Sequence, residues 1–318
     1  MAEFKILLDG LFKEEDIKLT RKEEFIEDPR WLAEKIIEPE WEKLIKLKRD
    51  SGEAEPSNGQ LSRLISYNLE DGKVHFELGS MWYKQYIGYR AIASAFIEHY
   101  GLQSLPRRIG NTSVVILKEY DGKESFLMVR RTRDVADYPY WLGAGAAGGV
   151  HVTANSLFDS MRNELNKEWG IRPTDIEQMF MTGYIVDGLN KNNSEATFVA
   201  KVNLSHKDLE AISYAEERWK HEKQAREEEK KQYGIYLGHD PVEISNFILT
   251  HDSKIMPTSQ ATILLYGKKN PFGVQGFGQS WYKSVMDNLR EKWLEKSHKF
   301  SVIEREHAEL VNGKYGLR

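Results

Sequence analysis

The chain contains no cysteine. Disulfides, thiolate nucleophiles and thiolate-bound zinc are therefore excluded, and stability must come from packing and hydrogen bonds. No apolar run reaches the roughly 18 residues that a membrane-spanning helix needs, so no span is expected. Neither charge sign is in excess: 45 Lys and Arg stand against 49 Asp and Glu, a net charge of −4. That balance argues against a general nucleic-acid binder. The first residues, MAEFKILLDGLFKEED, are too acidic and too briefly apolar for a secretory signal. A reducing cytoplasm is the simplest compartment to expect.

What is present suits a folded protein. With 318 residues and 40% hydrophobic residues, the chain can build a sizeable core in one large or two ordinary domains. Phe4 to Phe12 is apolar enough for a strand. Asp28-Pro29 reads as a helix start, and Trp31, Leu32, Ile36, Ile37, Trp41, Leu44 and Ile45 recur at helical spacing. A kink or break is expected at Pro39. Gln60 to Leu78 reads as two strands joined at Glu70-Asp71-Gly72-Lys73, and a helix is expected over Ala91 to Tyr100. The proline and two arginines within Gly101 to Gly110 suggest a boundary. Beyond it TSVVILKEY and SFLMVRRT read as a hairpin, followed by a glycine- and aromatic-rich loop, a helix, and two further strands. The charge run from Ser213 to Gly234 suits an exposed helix. PTSQATILLY should be a packing helix, and Trp281 to Lys296 is amphipathic.

The most informative stretch is Gly148 to Ile171, GGVHVTANSLFDSMRNELNKEWGI. A glycine pair leads through a loop into a helix that should stop at Gly170. Glu164 and Glu168 are four apart, so at about 3.6 residues per turn they stack on one helical face. Such a pair is either a solvated acidic face or a place for a hard cation, which prefers carboxylate oxygens. Lys167 can pair with either glutamate.

This stretch resembles the Nudix box, whose pattern is G-x5-E-x7-R-E-U-x-E-E-x-G-U with U aliphatic. Gly149, Glu164, Leu165, Glu168, Gly170 and Ile171 match it. Asn155 and Asn163 stand where the family has a Glu–Arg ion pair, which a neutral hydrogen bond between the two amides could replace. Lys167 stands where the family has a metal-ligating Glu. SRLISYNLEDGKVHFELGSMWYKQYIGYR, VRRTRDVADYPYW and PTSQATILLYG look like segments of the UDP-glucose- and UDP-galactose-hydrolysing Nudix proteins.

The resemblance implies an α+β Nudix fold, a mixed sheet sandwiched between helices, with a small α/β N-terminal domain. The expected division is 1–108 for that domain, 109–270 for the Nudix domain and 271–318 for a helical extension. The implied activity is cleavage of the diphosphate of a nucleoside-diphosphate derivative, UDP-sugar-like, with Mg2+ or Mn2+. The resemblance makes Glu164 and Glu168 the catalytic and metal-ligating pair, with Lys167 between them and the Gly149 (or Gly148) carbonyl as a further ligand. Glu216, Glu217 and Glu222 are candidates for a missing ligand. Arg130, Arg131 and Arg133 are the expected phosphate contacts, with Tyr83, Tyr86 and His151 toward the rest of the substrate. The partner expected is a nucleotide-type small molecule, with no specific nucleic acid and no membrane, and a homodimer is allowed. The alternative is a Nudix-fold protein that has lost catalysis and binds a nucleotide or a protein partner.

Overall fold

The computed structural model describes residues 4–50, 52, 55–131, 138, 140–188, 192–212 and 233–293. The expected exposed helix over the charge run, the candidates Arg133, Glu216, Glu217 and Glu222, and the end of the amphipathic C-terminal segment lie outside those residues.

The centre of the molecule is a long mixed sheet. Its strands are β1 (Phe4–Phe12), β2 (Ile17–Phe25), β3 (Gln60–Glu70), β4 (Lys73–Trp82), β5 (Arg107–Lys118), β6 (Glu124–Arg130), β7 (Leu142–Ala144), β8 (Ala146–Gly149), β9 (Ile176–Asp187), β10 (Asn193–Val202) and β11 (Tyr233–Gly238). The main path runs β1-β9-β10-β5-β3-β4-β2, while β6 and β8 also pair with β5 and β6 carries β7 and β11. Most pairs are antiparallel; β10 with β5 and β2 with β4 are parallel. The β3–β4 hairpin forms at the expected turn, where Asp71 and Gly72 both take positive φ (50° and 74°), as a tight two-residue turn requires. β3 and β5 pair at Arg63 with Arg108 and Leu64 with Arg107, so the sheet is continuous across residue 108.

Strand β5 shows how the layers form. Successive side chains on a strand point to opposite faces. Ile109, Val115 and Leu117 join one core cluster, and Val114 and Ile116 join another. The first cluster is completed by Leu157, Phe158, Met161, Leu165 and Trp169, the apolar face of the helix Leu157–Trp169. The second is completed by Ile263, Leu264, Leu265 and Tyr266 from the helix Pro257–Lys269. A mixed sheet lies between helices, as expected. No helix among the described residues is long and apolar enough to cross a membrane.

Two local details differ from the simplest expectation. Of the kink or break expected at Pro39, the break is not made. Short α1 (Arg30–Leu32) passes through a π turn (Ala33–Ile37) into α2 (Glu38–Asp50). A proline ring would collide with the carbonyl one turn earlier, and the wider π turn takes up that misfit. The helix α3 (Tyr83–Tyr100) begins eight residues before the expected Ala91. The Gln85 side chain accepts from the Trp82 backbone N–H at 2.7 Å and stabilises an earlier start than apolar spacing suggested. Further helices are α4 (Leu157–Trp169), α5 (Pro241–His251) and α6 (Pro257–Lys269), and residues 206–212 and 279–293 are helical as well.

Candidate functional site

The site is built where β8 lies against the first half of β5, with α4 on one face and the start of α6 on the other. Local sequence explains the position of α4. Ser156 caps its start, accepting from the Asp159 N–H at 2.9 Å, and Gly170 ends it with φ +66° and its N–H on the Asn166 carbonyl. The helix is further pinned by Trp169, whose indole N–H donates to the Gly145 carbonyl at 2.9 Å. Arg162 reaches Glu14 through both guanidinium ends (3.0 and 2.5 Å) and Asp159 at 2.9 Å.

Glu164 and Glu168 both turn toward the glycine strand. A Cβ placed on Gly148 would lie 2.2 Å from Glu164 Cδ, so only glycine lets this carboxyl approach the backbone. Burial is the largest influence on Glu164 and raises its pKa; Lys167 and Arg108 pull it the other way. Glu168 accepts from the Ala147 backbone N–H at 3.1 Å, which caps the outer side of β8. The Lys167 ammonium is 3.8 Å from Glu164 Oε2, with side-chain exposures of 76% and 14% respectively.

Asn155 and Asn163 are exposed, and no side-chain hydrogen bond joins them among the described residues. The expected neutral replacement of the family ion pair is therefore not made. The anchoring falls to Arg162 and Glu14, one residue along and from a distant part of the chain.

The opposite face carries residues that sequence reading missed. Glu195, Gly110 and Gly149 lie abreast on β10, β5 and β8. Arg108, two residues before Gly110, points to the same side. A Cβ on Gly149 would stand 3.1 Å from Arg108 Nη2, and one on Gly110 would stand 3.3 Å from Glu195 Cγ. Glu195 Oε1 accepts from Asn193 at 3.1 Å, while Oε2 is sealed from solvent with no hydrogen-bond partner among the described atoms. Burial pushes the Glu195 carboxyl up to about 7, against smaller opposing contributions from Asn193 and Arg108. Asn111, Thr112 and Asn193 also hold buried polar atoms without a partner among the described residues. Groups of that kind normally meet water or a ligand.

The expected substrate residues are distributed more widely. Tyr86 is fully buried, with its ring 5.9 Å from Tyr83 and 5.9 Å below the Arg108 guanidinium. His151 is exposed, its Nδ1 2.6 Å from the Thr153 hydroxyl. Arg130 is exposed at the end of β6, and the Arg131 backbone N–H donates to the Trp141 carbonyl at 2.9 Å. The cations that lower the Glu164 pKa are Lys167 and Arg108. Beside the site, the Tyr138 hydroxyl donates to buried Asp187 at 2.7 Å. A groove of about 320 Å³ between Glu14, Arg162 and Gln178 lies at the other end of α4 and does not include these glutamates.

One sequence signal marked the missed pair. Glu195 is a carboxylate inside a strand whose neighbours are nearly all buried, and such a group usually has a task. Arg108 had no such signal, because its role depends on glycines from another strand.

The sequence matches no family model and no curated protein. Among solved structures it is similar to the crystal structure of DR0079 from Deinococcus radiodurans, with 9% identity, 49% of this chain and 80% of that chain covered, and a TM-score of 0.32. It is also similar to the NUDIX domain of Shewanella oneidensis NrtR complexed with ADP ribose, with 12% identity, 40% and 97% covered, and a TM-score of 0.26. Likenesses at these scores carry no argument about what this chain does.

Proposed function

We propose that this chain is a Nudix-type hydrolase that cleaves the diphosphate of a nucleoside-diphosphate derivative, UDP-sugar-like by its sequence resemblance, with magnesium or manganese. The observation that carries the reading is the placement of Glu164. Its carboxyl is drawn in against the Gly148 backbone, and the Lys167 ammonium near it stands mostly in solvent. A pair splayed into water, or shut by a buried lysine, would have argued against chemistry here.

The donor set suits one hard cation. Glu164, Glu168 and a carbonyl of Gly148 or Gly149 would hold it, and magnesium is commonly bound by one or two carboxylates together with substrate phosphates. Such an ion would neutralise charge on the diphosphate. The chain's own residues supply the rest. The glycine strand lets the reacting group come close to the backbone. Burial raises the Glu164 carboxyl above the ordinary glutamate range, which makes it a stronger base toward an attacking water. The Glu168 bond to Ala147 holds β8 at a set distance from α4.

The test is monophosphate release from a panel of nucleoside-diphosphate sugars, ADP-ribose, dinucleotides and nucleoside triphosphates, with magnesium. Turnover that disappears in Glu164→Gln and Glu168→Gln supports the proposal. Absence of turnover across the panel with metal present defeats it.

A second reading is a binder without catalysis. Among the described residues, no group of three or more His, Asp or Glu side chains could hold a metal ion, and Lys167 stands at the position where the resemblance implies a third acid. Thermal stabilisation by one nucleotide, without turnover, is the outcome expected of that reading.

A further inference from the structure

Arg108 is a half-buried arginine that acts on Glu164 and Glu195 only through space. No ion pair or side-chain hydrogen bond is made by its guanidinium among the described residues, and its Nε is buried without a partner. Burying a charge in this way is costly unless something pairs with it. The Tyr86 ring beneath it, at 5.9 Å, supports the guanidinium plane but satisfies none of its N–H groups. Around it the chain has removed side chains. Gly110 and Gly149 lie abreast on neighbouring strands, and an added methyl at Gly149 would press on Nη2 at 3.1 Å. Lys167 adds a second, exposed positive charge on the other side of Glu164.

We propose that Arg108 is the anion-binding side chain of this site, taking phosphoryl oxygens of the ligand in the space over Gly110 and Gly149. This rests on the reading of the site as one that accepts a nucleoside diphosphate. The planar guanidinium offers parallel N–H donors that match two oxygens of one phosphoryl group. Glu195 borders that space, its Cγ 3.3 Å from where a Cβ on Gly110 would stand. The bare glycine floor lets the anion approach without displacing a side chain.

The experiment is calorimetric titration of the full chain with inorganic pyrophosphate and with UDP, each with and without magnesium. Arg108→Gln is expected to weaken binding about ten- to a hundred-fold, the range for losing charged hydrogen bonds. Arg108→Lys should recover only part of it, because a point charge replaces a fork. If Arg108→Gln does not fold, Gly149→Ala decides: it keeps the charge but crowds the guanidinium, and should weaken binding severalfold with little change in melting temperature. Exposed Arg30→Gln serves as the control and should bind as wild type does. Wild-type affinity in Arg108→Gln or, where that variant does not fold, in Gly149→Ala overturns the proposal, as does failure of the wild-type chain to bind either probe. Arg108-dependent binding without turnover would keep this inference and defeat the hydrolase. Turnover with an unchanged KM in Arg108→Gln would do the reverse.

Discussion

Lys167 Nζ and Glu164 Oε2 are 3.8 Å apart on consecutive turns of α4, yet they occupy different media: 76% of the lysine side chain is exposed and 14% of the glutamate. An ammonium in water pulls weakly on its partner, and exposed pairs of this kind contribute about 0–1 kcal/mol. Lys167 therefore tempers Glu164 without neutralising it. In Lys167→Glu, magnesium affinity should rise severalfold by titration calorimetry, since a repelling charge becomes a candidate ligand. An affinity that stays level or drops would show that this lysine does not face the metal-binding surface.

Gly148 separates folding from function. An alanine methyl there would overlap the far end of the Glu164 side chain, 2.2 Å from Cδ. That end is flexible and can swing away, so the fold should lose only about 1 kcal/mol or less. The carboxyl would no longer rest on the glycine strand. Gly148→Ala is therefore expected to melt close to wild type while activity, or metal affinity, falls at least tenfold. Undiminished activity would mean that the approach of Glu164 to β8 has no chemical role.

Glu195 predicts a pH dependence. Its folded-state pKa, pushed up to about 7 by burial, exceeds the ordinary glutamate value. Between those two values the folded protein retains a proton that the unfolded chain has released. Its contribution is thus fully present below the ordinary value and is lost as pH rises toward 7. The Glu195→Gln variant should be flatter across that window by urea denaturation. Above pH 7 it should be more stable than wild type, by up to about 3 kcal/mol if the whole shift is realised. Identical pH profiles for the two proteins would show that the carboxyl is hydrated in solution.

Arg21 holds the loop between β8 and α4. Its guanidinium donates to the His151 carbonyl at 2.8 Å, the Ala154 carbonyl at 3.3 Å and the Ser62 hydroxyl at 3.1 Å. Arg21→Ala should cost about 1–3 kcal/mol, because it leaves part-buried carbonyls without their donor. Amide hydrogen exchange should quicken in residues 150–156 ahead of the rest of α4. Uniform exchange changes across the sheet would instead indicate a general loss of packing.

Several elements were legible in the residues alone. Phe4–Phe12 is apolar enough for a strand and is β1. The β3–β4 turn sits at Asp71-Gly72 because positive φ is needed there. Ser156 and Gly170 mark the two ends of α4, since capping chemistry is local. The start of α3 was harder to read, because it depends on one side-chain bond from Gln85 back to Trp82. The π turn before Pro39 likewise reflects the shape of neighbouring turns rather than apolar spacing.

Local order explains what could be known in advance. Periodicity, caps and turns are written in near-neighbour residues, so the sequence alone determined strands β1, β3, β4, β5, β6, β9 and β10, the helix carrying Glu164 and Glu168, and the glycine pair ahead of it. Which charges meet those glutamates is a matter of strand register. Arg108 faces Gly149 because β5 and β8 pair in one particular alignment, and Glu195 stands beside Gly110 because β10 runs parallel to β5. A shift of one residue would send each of those side chains to the opposite face. Only the assembled sheet could decide that Arg108 and Glu195, distant in the chain and silent as a motif, belong to the same site.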